Sequence, residues 1–214
     1  MTTALAPTLH RIAIELAAMA QNGLTYATDH YDQDRYTRMR ALSAELMGLI
    51  SDGVPAEVEA VLALEAGHAT PKVDVRGALF EDGRVLLVRE ARDGRWTLPG
   101  GWADALDRPA SAAEREFAEE AGLAVRAVKL AAVHDGSVHN GHSPAGPWHI
   151  YKLFFVMERL DDGVPVAGLD GETSDVGFFP LDALPPLSTG RTTAEQLVRM
   201  HVHAQDRTAP TDFD

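Results

Sequence analysis

The 214-residue sequence predicts an α+β fold: a small all-helical N-terminal domain over residues 1–68, an α/β/α sandwich around a mixed sheet over 69–205, and a flexible tail over 206–214. Three observations carry this expectation. Apolar residues recur at helical spacing as far as about residue 66, and from Pro71 onward they alternate as they do in strands. A helical segment after Pro109 is then embedded among those strands, which argues for helices packed on a mixed sheet.

The elements follow in order. Leu9, Ile12, Leu16, Met19 and Ala20 stripe a first helix, which Asn22-Gly23 is expected to stop. Asp29-His30-Tyr31-Asp32 reads as a capped turn, and Tyr36, Met39, Leu42, Leu46 and Leu49 stripe a second helix from Asp34 to Ile50. Ser51-Asp52-Gly53 is a turn, and Pro55 opens a third helix with Val58, Val61, Leu62 and Leu64. Three such helices bury little area alone, so they are expected to pack on the second domain or on another copy of the chain. Val73, Val75, Gly77 and Leu79 alternate along a first strand, and Glu81-Asp82-Gly83 turns it toward Val85-Leu86-Leu87-Val88. Trp96-Thr97-Leu98, residues 124–133, 149–157 and 176–179 are further strands, and residues 138–147 are a long loop with four Gly or Pro breaks. Residues 192–203 close the fold as a helix, with Leu197, Val198 and Met200 apolar.

Composition narrows the function. The net charge of −13 repels duplex nucleic acid from most of the surface but tolerates a small nucleotide carried with its metal. No apolar run approaches the roughly 20 residues that span a bilayer. Residues 1–7 lack a basic leader region, and the chain has no cysteine, which fits a cytoplasmic location and excludes disulfides and thiolate metal sites.

The chemistry lies in residues 101–123. Glu116, Glu119 and Glu120 stand at positions i, i+3 and i+4, so a helix puts all three on one face. Carboxylates that close destabilise a helix unless a positive charge sits between them. A solvated acidic face is the plain alternative, but the surroundings favour a site. Leu98-Pro99-Gly100-Gly101 supplies a bendable backbone before the helix, Gly122 a left-handed stop after it, and Ala113, Phe117 and Ala121 an apolar stripe that anchors it. The natural partner is a hard divalent cation with oxygen ligands, and Mg²⁺ usually arrives with phosphates.

In this segment the sequence resembles the Nudix hydrolase signature: Gly101 opens it, and Arg115-Glu116-Phe117, Glu119-Glu120 and Gly122-Leu123 fill its second half at the right spacing. Gly23-Leu24-Thr25-Tyr26, the Pro71–Gly77 strand and the Leu98–Asp104 loop further resemble the Nudix subgroup with a helical N-terminal domain, whose members act as ADP-ribose or CDP-choline pyrophosphatases. The resemblance spans residues 9 to 203. It implies Mg²⁺ or Mn²⁺ held by Glu116, Glu119, Glu120 and the Gly100 carbonyl, a small nucleoside diphosphate derivative as substrate, and attack by water to give a nucleoside monophosphate and phosphorylated X. Homodimerisation through the helical domain, which could also act as a lid, accompanies this expectation.

The signature departs in one place. Its first Glu is Asp107, preceded by Leu106 instead of Gly and followed by Arg108 instead of Ser. Leu resists a left-handed backbone, so a shifted turn into the helix and altered metal affinity are expected, with Asp107 available as an N-cap. Arg115, four residues before Glu119, is expected to hold that carboxylate. Glu119 is either ligand or base. By resemblance a base on a later loop is the alternative, and Glu172 is the candidate there, equally readable as a turn acid. Arg89 could meet a phosphate or an ordinary surface acid, Trp102 could stack a base, and Lys152 is expected to alternate out of the core. His134, His139, His142 and His149 match no zinc spacing. Two rivals remain open: a nucleotide-sensing module of the same fold, and a hydrolase of nucleoside triphosphates or RNA ends.

Overall fold

The computed structural model describes residues 5–50, 54–140, 148–168 and 171–214. The turn expected at residues 51–53, His142 and most of the 138–147 loop lie outside the described residues. The chain divides into two compact units at Pro71/Lys72, the second comprising Lys72–Asn140 and Ile150–Asp214.

The first unit contains α1 (Leu5–Tyr26), α2 (His30–Ile50) and α3 (Pro55–Ala63). Buried Ala13, Ala17 and Ala20 on α1 face Ser43, Ala44 and Met47 on α2, and the Ser43 hydroxyl donates to the Ala13 carbonyl at 2.7 Å. Helix α1 does not stop at Asn22-Gly23 but runs to Tyr26. Gly23 is a contact instead: a Cβ there would lie 2.3 Å from the Tyr36 ring. On either side of it, the Gln21 and Thr25 side chains donate to the Gly67 carbonyl. Asp29 accepts from the Tyr31 and Asp32 amides, so the polar segment caps α2, which starts earlier than its apolar stripe suggests. Leu42 and Leu49, expected on the buried stripe, are exposed.

The second unit contains β1 (Lys72–Ala78), β2 (Phe80–Glu81), β3 (Arg84–Glu90), β4 (Trp96–Thr97), α4 (Pro109–Ala121), β5 (Val125–Asp135), α5 (Gly136–His139), β6 (Ile150–Arg159), β7 (Thr173–Pro180), α6 (Ala194–Gln205) and β8 (Asp212–Phe213). One sheet runs β1-β6-β5-β8, with β1 parallel and β5 antiparallel to β6. In the other, β3 pairs with β2, β4 and β7, all antiparallel. Side chains alternate across β6: Phe155 and Met157 join the core under α4, whereas Phe154 and Val156 join the core under α6. Helices therefore cover both faces, as the sequence predicts. Phe117 on α4 and Leu197 and Met200 on α6 are fully buried, while Val198 is half exposed. Thr193 starts α6 with a reciprocal capping box to Gln196.

The tail expected to be flexible is instead built in. Asp212 and Phe213 pair in parallel with Ala132 and Val133, Thr211 donates to the Leu130 carbonyl, and Asp214 accepts from the Asp135 amide. An edge strand with unpaired backbone groups gives the tail a ladder to join.

Candidate active site

The segment after β4 forms the floor of the site. Gly77 donates to the Pro99 carbonyl, Val75 to Gly101 and Ala103 to Val73, so residues 99–103 run along β1. Gly100 sits at φ +145°, and a Cβ there would lie 2.0 Å from the Val75 carbonyl, so only glycine fits. This close approach turns the Gly100 amide toward α4, where it donates to Glu120 Oε2 at 2.9 Å. Gly101 lies directly under Glu116: a Cβ on it would be 3.1 Å from Oε2.

Helix α4 is anchored as its stripe predicts, with Ala113, Phe117 and Ala121 buried, and it ends at Gly122 in the left-handed conformation. Its acidic face is graded by burial. Glu120 is almost inaccessible, and burial pushes its carboxyl up to about 8 despite Arg76 and the Gly100 amide. Burial likewise raises Glu116, with Arg115 opposing. Glu119 is more exposed and meets Arg115 Nη1 at 2.9 Å. Arg115 also contacts Glu116 Oε1 at 3.0 Å and Asp107 Oδ2 at 3.2 Å, so it grips three acids. Thr173 ties β7 to the end of the helix by donating to the Glu120 carbonyl at 3.1 Å.

The departure in the signature resolves locally. Leu106 adopts the left-handed conformation anyway, at φ +76°, with its side chain fully in solvent. Asp107 does not cap α4. The N-cap is Arg108 with no side-chain bond, and Asp107 Oδ2 instead accepts from the Asp104 amide and from Arg115.

The structure brings Gly100, Glu116, Glu119, Glu120 and Arg115 together and leaves other candidates outside that cluster. Arg89 is exposed, and its Nε donates to the Gly94 carbonyl across the β3–β4 turn. Trp102 bridges Asp74 through its backbone and is 42% exposed. Glu172 is exposed beside Thr173; its carbonyl accepts from Ala91 and its charge reaches Glu90. His134 and His139 stack at 3.9 Å and face Asp212 and Asp214.

Sequence reasoning missed the buried charges behind the site. Asp74, Arg76, Glu90 and Lys152 are all buried. Arg76 grips Asp74 through Nε at 2.9 Å and Nη2 at 2.7 Å. Arg191 Nε lies 3.0 Å from Glu90 Oε1. Lys152 does not alternate out of the core: it is buried, lies 3.6 Å from Asp74 and donates to the Arg191 carbonyl, and burial lowers its pKa to about 8. Burial also opposes the Asp74 charge, but Arg76 and Lys152 outweigh it and hold the carboxyl below its ordinary range. The signal was the charged period-two positions on β1 and β6. Strands covered on both faces bury both sets, and a charge there needs a partner.

Among the described residues, no group of three or more His, Asp or Glu side chains is arranged to hold a metal as it stands. Glu120 turns to the Gly100 amide and Glu119 to Arg115. The donor set nevertheless fits a hard divalent cation. Glu116 and Glu120 are carboxylates whose burial disfavours their charge, and a cation compensates that cost with oxygen coordination.

Residues 7–62 match the family described as the UDP-X-like, N-terminal oligomerisation domain, and residues 70–200 match the NUDIX domain. The Bacillus subtilis protein YjhB, provisionally named an ADP-ribose pyrophosphatase, is 38% identical over 205 residues, which cover 94% of this chain and 95% of YjhB. An ADP-ribose pyrophosphatase structure from Streptococcus suis 89-1591 is 37% identical, with a TM-score of 0.59 over 68% of this chain and 100% of its own. A UDP-X diphosphatase structure is 29% identical, with a TM-score of 0.60 over 98% and 99% of the two chains.

Proposed function

The chain belongs to the Nudix hydrolase family, and from that premise we propose that it cleaves the diphosphate bond of nucleoside diphosphate derivatives, giving a nucleoside monophosphate and phosphorylated X. The observation that carries the proposal is the pair of half-buried Glu116 and buried Glu120 packed against Gly101 and Gly100. Glu116 and Glu120, with Glu119 and the Gly100 carbonyl, would hold Mg²⁺ or Mn²⁺. When bound, the ion neutralises phosphate charge and lowers the pKa of a coordinated water.

The remaining roles fall to the chain itself. Arg115 restrains Glu119 and Glu116, so the acids facing substrate are held before it arrives. Glu119, the most accessible of the three, and Glu172 are the two candidates to take the proton of the attacking water. Trp102 offers an exposed aromatic face for a base. Arg89 reaches a phosphate only by leaving Gly94.

ADP-ribose and UDP-linked compounds lead the substrate panel because the relatives above are named for them, and CDP-choline follows from the sequence reading. We assign the enzyme to the cytoplasm, in keeping with a cysteine-free chain; no helix among the described residues is long and apolar enough to cross a membrane. A homodimer through the helical unit is supported by the matched oligomerisation domain and by exposed Tyr31, Leu42 and Leu49 on one stripe of α2.

Incubation of purified protein with Mg²⁺ or Mn²⁺ and ADP-ribose, a UDP-sugar, CDP-choline or nucleoside triphosphates tests this directly. Monophosphate products are expected from the diphosphate derivatives, and Glu119→Gln and Glu120→Gln should abolish them with the fold intact. Full activity in both variants would overturn the site. Thermal stabilisation by nucleotide without turnover would instead make the chain a sensor.

A further inference from the structure

We propose that Arg76 is a positioning residue of this site: clamped by Asp74, its guanidinium sets the Leu98–Gly101 turn and, through it, the Glu120 carboxylate. The inference rests on the reading of Glu116 and Glu120 as metal ligands.

The chain of contacts is continuous. Arg76 is 4% exposed and takes both Asp74 oxygens side-on, at 2.9 Å and 2.7 Å. Its third nitrogen, Nη1, donates to the Leu98 carbonyl at 3.1 Å. Its aliphatic stem lies under the turn: a Cβ on Gly100 would come within 3.0 Å of Arg76 Cδ and 2.9 Å of Arg76 Cα. Gly100 then donates to Glu120 Oε2 at 2.9 Å. The guanidinium charge is also attracted by Glu120 and Glu90, so one buried cation faces acids from β1, β3 and α4.

Stability alone is a poor reason for such a residue. A buried ion pair is often no better than apolar side chains of the same volume, because both charges lose their water. What a guanidinium provides is direction. Its planar fork holds two carboxylate oxygens while another N–H reaches a carbonyl, and a lysine ammonium cannot fix all three at once. Lys152 Nζ lies 3.6 Å from Asp74 Oδ1, the oxygen that also accepts from Arg76 Nε, so a second cation helps to hold the clamp.

A double-mutant cycle on Mn²⁺ binding tests this, read from the paramagnetic resonance of free ion with the full chain. Arg76→Lys keeps the charge and loses the fork; Glu120→Asp keeps the charge and shortens its reach. Arg76→Lys should weaken Mn²⁺ binding about tenfold in the native background but less than about twofold beside Glu120→Asp, the non-additivity of residues that act through one another. With ADP-ribose, kcat should fall while KM stays within about threefold, because only the reacting centre is disturbed. If Arg76→Lys melts, Asp74→Asn frees the same fork and should give the same pattern. Equal losses in both backgrounds, or no loss in either, overturn the role of Arg76. Wild-type Mn²⁺ affinity in the double variant Glu116→Gln with Glu120→Gln would instead bring down the metal reading, and this inference with it.

Discussion

Replacing Glu120 by glutamine should make the metal-free protein more stable, and the gain should grow with pH. Burial lifts the Glu120 carboxyl from 4.5 to about 8. The folded state therefore holds this proton more tightly than the unfolded chain. That contribution to stability is complete below about pH 4.5 and is lost as pH rises through about 8. At 1.36 kcal/mol per pKa unit, the part lost between pH 6 and pH 8.5 is about 2 to 3 kcal/mol. For a chain of this size that is a fall in melting temperature of roughly 5–10 °C. A glutamine side chain has no proton to lose in this range, so the variant should show a shallower slope, with Glu116, raised in the same direction, leaving a residual one. Calorimetry of both proteins in chelator across this range measures the difference. Saturating Mg²⁺ or Mn²⁺ should flatten the wild-type curve by compensating the buried charge, and should leave the variant nearly unchanged. Parallel curves for the two proteins in chelator would refute the reasoning, because they would mean that Glu120 is not the titrating buried acid.

Three further outcomes are expected. Leu106→Gly should raise stability by about 0.5–1 kcal/mol, since relief of a left-handed leucine worth about 1–2 kcal/mol exceeds the extra freedom of glycine in the unfolded chain; denaturant unfolding measures it. Phe117→Ala should cost about 3–5 kcal/mol and loosen α4 from the sheet, because the ring is fully buried; a melting temperature unchanged from wild type would contradict the packing described for α4. Removal of residues 211–214 should increase amide exchange along β5 at 132–135, where β8 and Asp214 now pair; native protection there would show that the tail contributes nothing to the sheet.

The acidic face, its glycine floor and its apolar anchor were legible because helical spacing and backbone freedom are local properties. Glu116, Glu119 and Glu120 had to share a face once α4 formed, and Gly122 could end it without strain. Local rules misled where a residue answers to a distant partner. Gly23 reads as a helix stop, yet α1 continues through it, and the missing Cβ there leaves room for the Tyr36 ring. The tail reads as frayed, yet the open edge of β5 recruits it. Leu106 reads as an obstacle to the signature turn, yet it takes the left-handed conformation with its side chain in solvent.

The sequence by itself determined which helix carries the carboxylates, which backbone bends beneath them and which family chemistry that combination serves, because each depends on residues adjacent in the chain. Tertiary structure alone decided that Asp74, Arg76, Glu90 and Lys152 lie buried behind that helix. Strand alternation says only that two faces exist. Whether a face meets water or another layer depends on elements far away in sequence, and it is that covering which turns ordinary surface charges into a buried, mutually dependent set.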